Sequence, residues 1–172
     1  TAWPPTSRER ILNADATTVS VGYYEGGVYN NYWVLIFSYP ENSHTEDYRQ
    51  EVLDLVNAQR AKYGLTALEM GDDDLTAAAQ TRAEEIAVVN SHVRPDDSKC
   101  FTVLKDYGVT DTPTGENAAW GSVSPEEVVN AWMNSEGHRA NILDPEARAM
   151  GVGYYYNSSS TWGHQWIQIF TK

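Results

Sequence analysis

The sequence has a single cysteine, Cys100, so it can form no disulfide within the chain. A domain of this length does not depend on disulfides, because it buries roughly 70% of the surface that its unfolded chain exposes. The lack of a disulfide framework therefore does not decide between a cytosolic and an exported protein. Cys100 has an aromatic neighbour in a segment with helical spacing, which predicts a buried and unreactive thiol.

Long apolar runs and positive charge are also scarce. The longest apolar run, residues 32–37, has the length of a strand. A membrane span needs roughly 20 such residues, so no transmembrane segment is predicted. Only 12 basic residues accompany 24 acidic ones, and the net charge is −12. Nucleic acids and anionic membrane surfaces repel such a chain, so we predict neither as a partner.

Hydrophobic periodicity predicts helices in the first part of the main body and strands at its end. Helices are expected over residues 46–63, 74–90, 98–107 and 125–134, and a capping box of Ser124 and Glu127 opens the last of them. Strands are expected over residues 149–156 and 164–170. This order predicts an α+β fold with helices packed on an antiparallel sheet.

A β-hairpin is predicted ahead of this body, with strands at residues 17–24 and 32–37 and a linker at 38–45. Residues 11–24 align without a gap with residues 142–155, and seven of these 14 positions are identical. WVLIF (33–37) likewise matches WIQIF (166–170). An internal repeat is the favoured interpretation, and two similar strand pairs under similar constraints are the alternative.

We divide the chain into an N-terminal segment, residues 1–45, and a main domain, residues 46–172. The N-terminal segment resembles the tail of the domain that follows it. A lone hairpin is marginally stable in water. We therefore expect the hairpin to pack against the main domain or to extend its sheet.

Polar clusters lie where the backbone is expected to turn. His92 follows a helix, Glu116 belongs to a glycine-bearing loop, and His138 follows a helix C-terminus. Imidazoles suit a divalent cation such as zinc, and a carboxylate can orient one of them, donate an oxygen ligand or act as a general base. A histidine at a helix end is also explained by the helix dipole, so a structural role for His138 stays open.

A nucleophile is poorly supported by the sequence. The motifs HExxH, CxxC, GxSxG and the phosphate-binding P-loop are all absent. Ser135 lies three residues before His138 and is the alternative nucleophile, but no acidic residue is placed to orient the histidine.

Several segments taken together resemble the CAP superfamily, which includes cysteine-rich secretory proteins, insect venom allergens and plant pathogenesis-related proteins. The resemblance covers residues 46–172 and is closest to the bacterial, disulfide-free branch. Its segments, in chain order, are LVNAQRAKYGL, AAAQTRAEEIA, SH, GEN, VVNAWMNSEGHRANIL and MGVGYYY. The resemblance implies a three-layer α-β-α sandwich with a central antiparallel sheet, and a secreted or cell-surface location.

The resemblance also implies a cleft in which His92, Glu116 and His138 match three of the family's four site residues. The fourth residue is a glutamate in eukaryotic members, and Ser135 stands at that position here. The tetrad is therefore incomplete. The chain opens at Thr1 on polar residues and prolines rather than on a signal peptide, and we expect any leader to have been removed or trimmed.

The expected function is that of a non-enzymatic binding module with a lipid, peptide or cell-wall ligand. His92, His138 and Glu116 are the expected ligands of a divalent cation such as zinc. Two alternatives stay open. One is a hydrolase, either metal-assisted or using Ser135. The other is a structural surface-interaction protein in which the hairpin is the assembly element.

Overall fold

The structure is a computed structural model that describes residues 18–38 and 45–172. Contacts between Cα atoms divide the chain into two compact units, Thr1–Ser43 and His44–Lys172. Within the described residues, no helix has both the length and the apolar character needed to cross a membrane. The elements are β1 (Thr18–Glu25), β2 (Asn31–Ser38), α1 (Thr45–Lys62), β3 (Glu69–Met70), α2 (Asp73–Ile86), a 3₁₀ turn (Cys100–Thr102), α3 (Val103–Asp106), β4 (Pro113–Trp120), α4 (Pro125–Asn134), α5 (Glu136–Ile142), β5 (Ala149–Tyr156) and β6 (His164–Thr171).

The predicted N-terminal hairpin is present as β1 and β2. The two strands pair antiparallel, and the turn between them uses Gly26, Gly27 and Asn30 at positive φ. They form a two-stranded sheet that is separate from the four-stranded sheet of the second unit. The expectation that the hairpin packs against the main domain or extends its sheet stays a prediction.

The second unit has the predicted α+β architecture. Its sheet has the strand order β3-β5-β6-β4, and β4, β5 and β6 pair antiparallel. The prediction of an antiparallel sheet needs one correction, because the two-residue strand β3 pairs with β5 in parallel.

Helices cover both faces of this sheet, because successive residues of a strand point to opposite sides. Met150, Val152 and Tyr154 of β5 belong to a buried cluster with α1, α4 and α5. Ile167 and Ile169 of β6 belong to a second cluster with α2 and α3. The predicted three-layer sandwich is thus confirmed.

The face that carries α2 is built for close approach. The helix presents buried alanines to β5. Two glycines of the strand leave room for the helix backbone. A Cβ atom at Gly151 would lie 2.6 Å from the carbonyl oxygen of Leu75, and one at Gly153 would lie 2.0 Å from that of Ala79. Both positions therefore require glycine, whatever their backbone angles.

Side chains complete the outer edge of β5 beyond the short strand β3. Arg49 donates from Nε to the carbonyl oxygen of Val152 over 3.0 Å. The amide of Tyr154 donates to Oε1 of Gln80 over 3.3 Å, and the same oxygen accepts from Arg49 Nη2 over 3.0 Å. Helices α1 and α2 thereby supply hydrogen bonds that a neighbouring strand supplies elsewhere in the sheet.

Four local predictions are corrected by the structure. The TGEN cluster, expected in a loop, lies within β4. His138, expected to follow a helix C-terminus, lies inside a new helix, α5, which begins at Glu136 after extended Ser135. The segment 98–107 forms a 3₁₀ turn followed by the short helix α3. Helix α2 ends at Ile86 rather than at residue 90.

We predict that Gly153→Ala lowers the free energy of unfolding by about 2–3 kcal/mol, because its methyl group would overlap the backbone of α2. Urea unfolding followed by circular dichroism measures this. Gly137→Ala is the control, since nothing lies within 4 Å of its Cβ position and the residue is helical. Equal stability of the Gly153→Ala variant and the wild type would contradict the close packing.

Candidate functional site

The candidate site is organised around a buried ion pair between α2 and β4. Arg82 is fully buried, and the side chain of Glu116 is 2% exposed. The guanidinium donates to both carboxylate oxygens, from Nε to Oε2 over 2.9 Å and from Nη2 to Oε1 over 3.2 Å. It also donates to Glu85 over 2.6 Å and to the carbonyl oxygen of Ser91 over 3.2 Å. A buried pair of charges is stable only with such extra hydrogen bonds.

The imidazole of His92 lies on the open side of this pair. Its Nδ1 atom is 2.8 Å from Oε1 of Glu116, and its side chain is 54% exposed. A carboxylate at Nδ1 favours the proton on that nitrogen and leaves Nε2 to face outward. Among the residues that the structure describes, Nε2 has no hydrogen-bond partner. Glu116 therefore orients His92 and presents its second nitrogen to solvent.

The hydrogen bond to Glu116 raises the pKa of His92, although burial and the positive charge of Arg82 oppose this. Burial by itself would raise the pKa of Glu116. The hydrogen bonds from His92 and Arg82 together outweigh burial and lower it. Glu116 is thus a carboxylate at neutral pH, with both oxygens already accepting hydrogen bonds.

A ladder of amide side chains places His138 on the opposite side of β4. Asn117 is fully buried and donates from Nδ2 to the carbonyl oxygen of His138 over 3.1 Å. Asn141, one turn later in α5, donates to Oδ1 of Asn117 over 2.8 Å. Gly115 gives Asn141 its space, because a Cβ atom there would lie 2.6 Å from the amide group. The GEN motif therefore holds α5 as well as His92.

The imidazole of His138 is half-buried and makes no hydrogen bond to any residue within 18–38 and 45–172. Burial lowers its pKa, and the charge of His92 lowers it further. The two histidines are thus close enough to influence each other, and their pKa values move in opposite directions. His92 takes up a proton first, while His138 remains a neutral acceptor.

The predicted site residues do not all join one hydrogen-bonded group. Ser135 lies at the joint between α4 and α5, and its hydroxyl donates to no residue in the described parts of the chain. It has no hydrogen bond to His138. Cys100 is half-buried near Glu116, and burial together with this carboxylate raises the pKa of its thiol to about 11. Neither side chain is an activated nucleophile.

The residues do not fit a cation held by three protein ligands. Both oxygens of Glu116 already accept hydrogen bonds from Arg82 and His92. Across residues 18–38 and 45–172, no three or more His, Cys, Asp or Glu side chains are grouped to hold a metal ion. What the cleft offers is two imidazoles, with Glu116 in an orienting position behind one of them.

The roles of Arg82, Asn117 and Asn141 were not predicted from the sequence. Arg82 had a usable signal, because it occupies the apolar stripe of α2, between Ala79 and Ala83 in sequence and one turn before Ile86. A charge on a buried stripe requires a buried partner of opposite sign. The two asparagines gave no such signal, since asparagine is common in turns and β4 was not predicted as a strand.

The fold and the cleft define an α-β-α sandwich domain with two histidines flanking one strand. The sequence model of the cysteine-rich secretory protein family, CAP, matches residues 53–170, and the chain belongs to this family. Its match to the bacterial branch agrees with the single cysteine. The resemblance predicted from the sequence is confirmed.

The chain is 41% identical over 127 residues to the uncharacterized protein YkwD of Bacillus subtilis (strain 168), covering 73% of this chain and 49% of that protein. It is 34% identical over 106 residues to the uncharacterized membrane protein YlbC of the same strain, covering 60% and 30%. An extracellular protein with an SCP domain from Bacillus anthracis str. Ames superposes with a TM-score of 0.68 at 25% identity, covering 81% and 47%. The chain thus spans half or less of the length of these relatives.

We predict that Glu116→Gln lowers the pKa of His92 towards or below its ordinary value of 6.5. Glutamine keeps an acceptor for Arg82 but removes the negative charge at Nδ1. Titration of the His92 ring by NMR measures the shift. Glu85→Gln is the control, because Glu85 contacts Arg82 and Arg94 but not His92.

The same pair predicts the sign of a stability change. The pKa of His92 is higher in the folded chain than in the unfolded one. The stability that the His92–Glu116 pair contributes is complete below the pKa of His92 in the unfolded chain. It is lost as the pH rises through the pKa in the folded chain. As the pH rises between these two pKa values, the free energy of unfolding of the wild type should therefore fall relative to that of Glu116→Gln. A His92 pKa that Glu116→Gln leaves unchanged would exclude this arrangement.

Proposed function

We propose that this chain is the non-enzymatic binding module of an extracellular or cell-surface protein. The observation that carries the proposal is the saturated carboxylate of Glu116. Both of its oxygens accept hydrogen bonds, and its pKa is lowered, so it is not a free general base. The cleft instead presents two imidazoles that are held in place from opposite faces of β4. Such a site is suited to binding rather than to bond breaking.

The two imidazoles are the groups through which the module binds, and a divalent cation such as zinc is the bridging ion. Neutral imidazole nitrogens are good zinc ligands, and Glu116 fixes the ring of His92 in the way that carboxylates hydrogen-bonded to zinc-binding histidines do. Two protein ligands leave the other coordination positions open. Water, or an anionic group of a lipid, peptide or cell-wall ligand, would fill them.

A hydrolase is the less favoured function. Serine hydrolysis needs a histidine hydrogen-bonded to the nucleophile and oriented by an acid. The oriented histidine here is His92, whereas Ser135 lies three residues before His138 and has no hydrogen bond to it in the described part of the chain. The acid therefore orients one histidine, whereas the serine lies near the other in sequence.

The location is proposed from relatives. The superposable protein of Bacillus anthracis is described as extracellular, and the chain spans 47% of it. A net charge of −12 suits a soluble surface away from nucleic acids. The activity and partners of a longer protein that contains this module would be set by its other parts as well.

We predict that the wild-type chain binds one zinc ion at neutral pH and that His92→Ala and His138→Ala each weaken binding at least about tenfold, the effect of losing about 1.4 kcal/mol. Isothermal titration calorimetry measures both stoichiometry and affinity. Affinity should fall at acidic pH, because protons compete for His92, whose pKa is raised.

His164→Ala is the matched control for loss of a histidine. His164 accepts or donates a hydrogen bond with the hydroxyl of Tyr154 at the far end of β6, and it should not change zinc binding. No binding by the wild type, or full binding after removal of either cleft histidine, would refute the cation site. The binding function would then rest on direct contacts of the imidazoles.

We also predict that a fluorophosphonate probe for activated serines does not label the wild-type chain. The reason is that Ser135 has no histidine positioned to remove its proton. Ser135→Ala should bind zinc with the affinity of the wild type. Labelling that disappears in Ser135→Ala would instead support the serine hydrolase.

A further inference from the structure

The N-terminal hairpin repeats the last two strands of the domain in length and in register. β1 and β5 each have eight residues, and so do β2 and β6. Thr18 lies opposite Ser38, as Ala149 lies opposite Thr171, and Glu25 lies opposite Asn31, as Tyr156 lies opposite His164. The sequence echo between the two regions therefore corresponds to one shared strand pairing.

An aromatic cross-strand pair occupies the same place in both hairpins. Tyr154 and Trp166 lie 4.4 Å apart between ring centroids, and Tyr23 and Trp33 lie 4.6 Å apart. In the domain, Tyr48 of α1 packs on both rings, and the pair is 5% and 0% exposed. In the hairpin the corresponding rings are 50% and 59% exposed. The hairpin thus keeps a core residue pair without the helix that covers it.

Gly22 of β1 aligns with the glycine of β5 over which the backbone of α2 packs. It corresponds to Gly153, where a Cβ atom would overlap the carbonyl oxygen of Ala79. A Cβ atom at Gly22 would meet only Val34, at 3.9 Å. Glycine inside a strand is unfavourable and is found at bulges, at tight bends and where a ligand or another backbone approaches closely. The pairing of β1 with β2 has no bulge at Gly22. Nothing in the hairpin itself explains this glycine.

We propose that β1–β2 is the closing hairpin of a second sandwich, whose covering layers come from residues that precede Thr1 in the full-length protein. One layer packs its backbone over Gly22, and the other covers the Tyr23–Trp33 pair. β5 and β6 end the domain in chain order, so the equivalent hairpin requires its partner elements on its N-terminal side. The match covers only 49% and 47% of two relatives, so these proteins carry further chain outside the matched domain.

The helical layers of the domain in this chain are already used by its own sheet. Its helices α1, α2 and α4 already pack on β5 and β6, and their apolar faces are buried there. A second copy of the chain has the same helices in the same state. Exposed side chains on both faces of the hairpin, among them Val21, Tyr24, Val34 and Ile36, still require a cover.

Hydrogen exchange measured by mass spectrometry tests the proposal. The full-length product of the gene is compared with the 172-residue chain, through peptides that cover residues 18–38. We expect exchange at least about 100-fold slower in the full-length protein, because a covered sheet opens only through larger unfolding events. Equal exchange in both proteins, or a gene that encodes nothing before Thr1, would overturn the proposal.

Protection already present in the short chain would also overturn it. Protection that rises with protein concentration would mean that a second copy covers the hairpin. Protection independent of concentration would mean that the chain's own domain does so. Each result identifies a different occupant.

Gly22→Ala provides the sharper variant. In the 172-residue chain it should leave exchange unchanged or slow it, since the added methyl group has space. In the full-length protein it should speed hydrogen exchange in residues 18–38 at least about tenfold, because the covering backbone is displaced. Ser20→Ala is the matched control on the same face of β1, and it should change neither protein. An unaltered full-length Gly22→Ala variant would count against a close-packed cover.

Discussion

The buried ion pair of Arg82 and Glu116 is the interaction on which both the domain and its cleft depend. It joins the helix on one face of the sheet to a strand within the sheet, and the same guanidinium holds the segment after α2 through Ser91. Two charges without water are stable only because each finds several partners. The position of His92 follows from this pair, since its imidazole rests on the carboxylate that Arg82 fixes.

Strand β4 brings the two helical layers of the domain to one site. Neighbouring residues of a strand point to opposite faces, so Glu116 turns towards α2 and Asn117 towards α5. One histidine is thereby controlled from each layer. Gly115 completes the motif by allowing Asn141 to approach. Three consecutive residues thus couple both packing interfaces to the cleft, which explains why a short polar segment occupies a buried strand.

The long helices and the last two strands were predictable because each has a strong hydrophobic period or cap, and the three-layer arrangement was implied by the resemblance to the CAP superfamily. Helix α4, with Ser124 as its N-cap and Pro125 in its first turn, begins and ends at the predicted residues. β4 was missed because Gly115, Glu116 and Asn117 have low strand propensity, and tertiary contacts alone hold them in the sheet. Helix α5 was missed because glycine normally ends a helix. Here α4 already ends at Asn134, Ser135 is extended, and Gly137 lies inside α5.

The same distinction applies to the cleft. His92, Glu116 and His138 could be selected from the sequence, because imidazoles and a carboxylate in turn-rich segments are recognisable chemistry. Their separate roles could not, since these depend on the orientation of Arg82 and on which oxygen each donor reaches. The difference in pKa direction between the two histidines is likewise a property of packing, not of residue type.

The outer edge of β5 shows how the sheet of the domain ends. Strand β3 covers only its first two residues, and beyond them the guanidinium of Arg49 and the amide of Gln80 occupy the positions of a further strand. An incoming polypeptide would have to break hydrogen bonds made by side chains that are anchored in two packed helices. The edge is therefore closed to strand addition without a covering loop, and the domain is protected there from edge-to-edge aggregation.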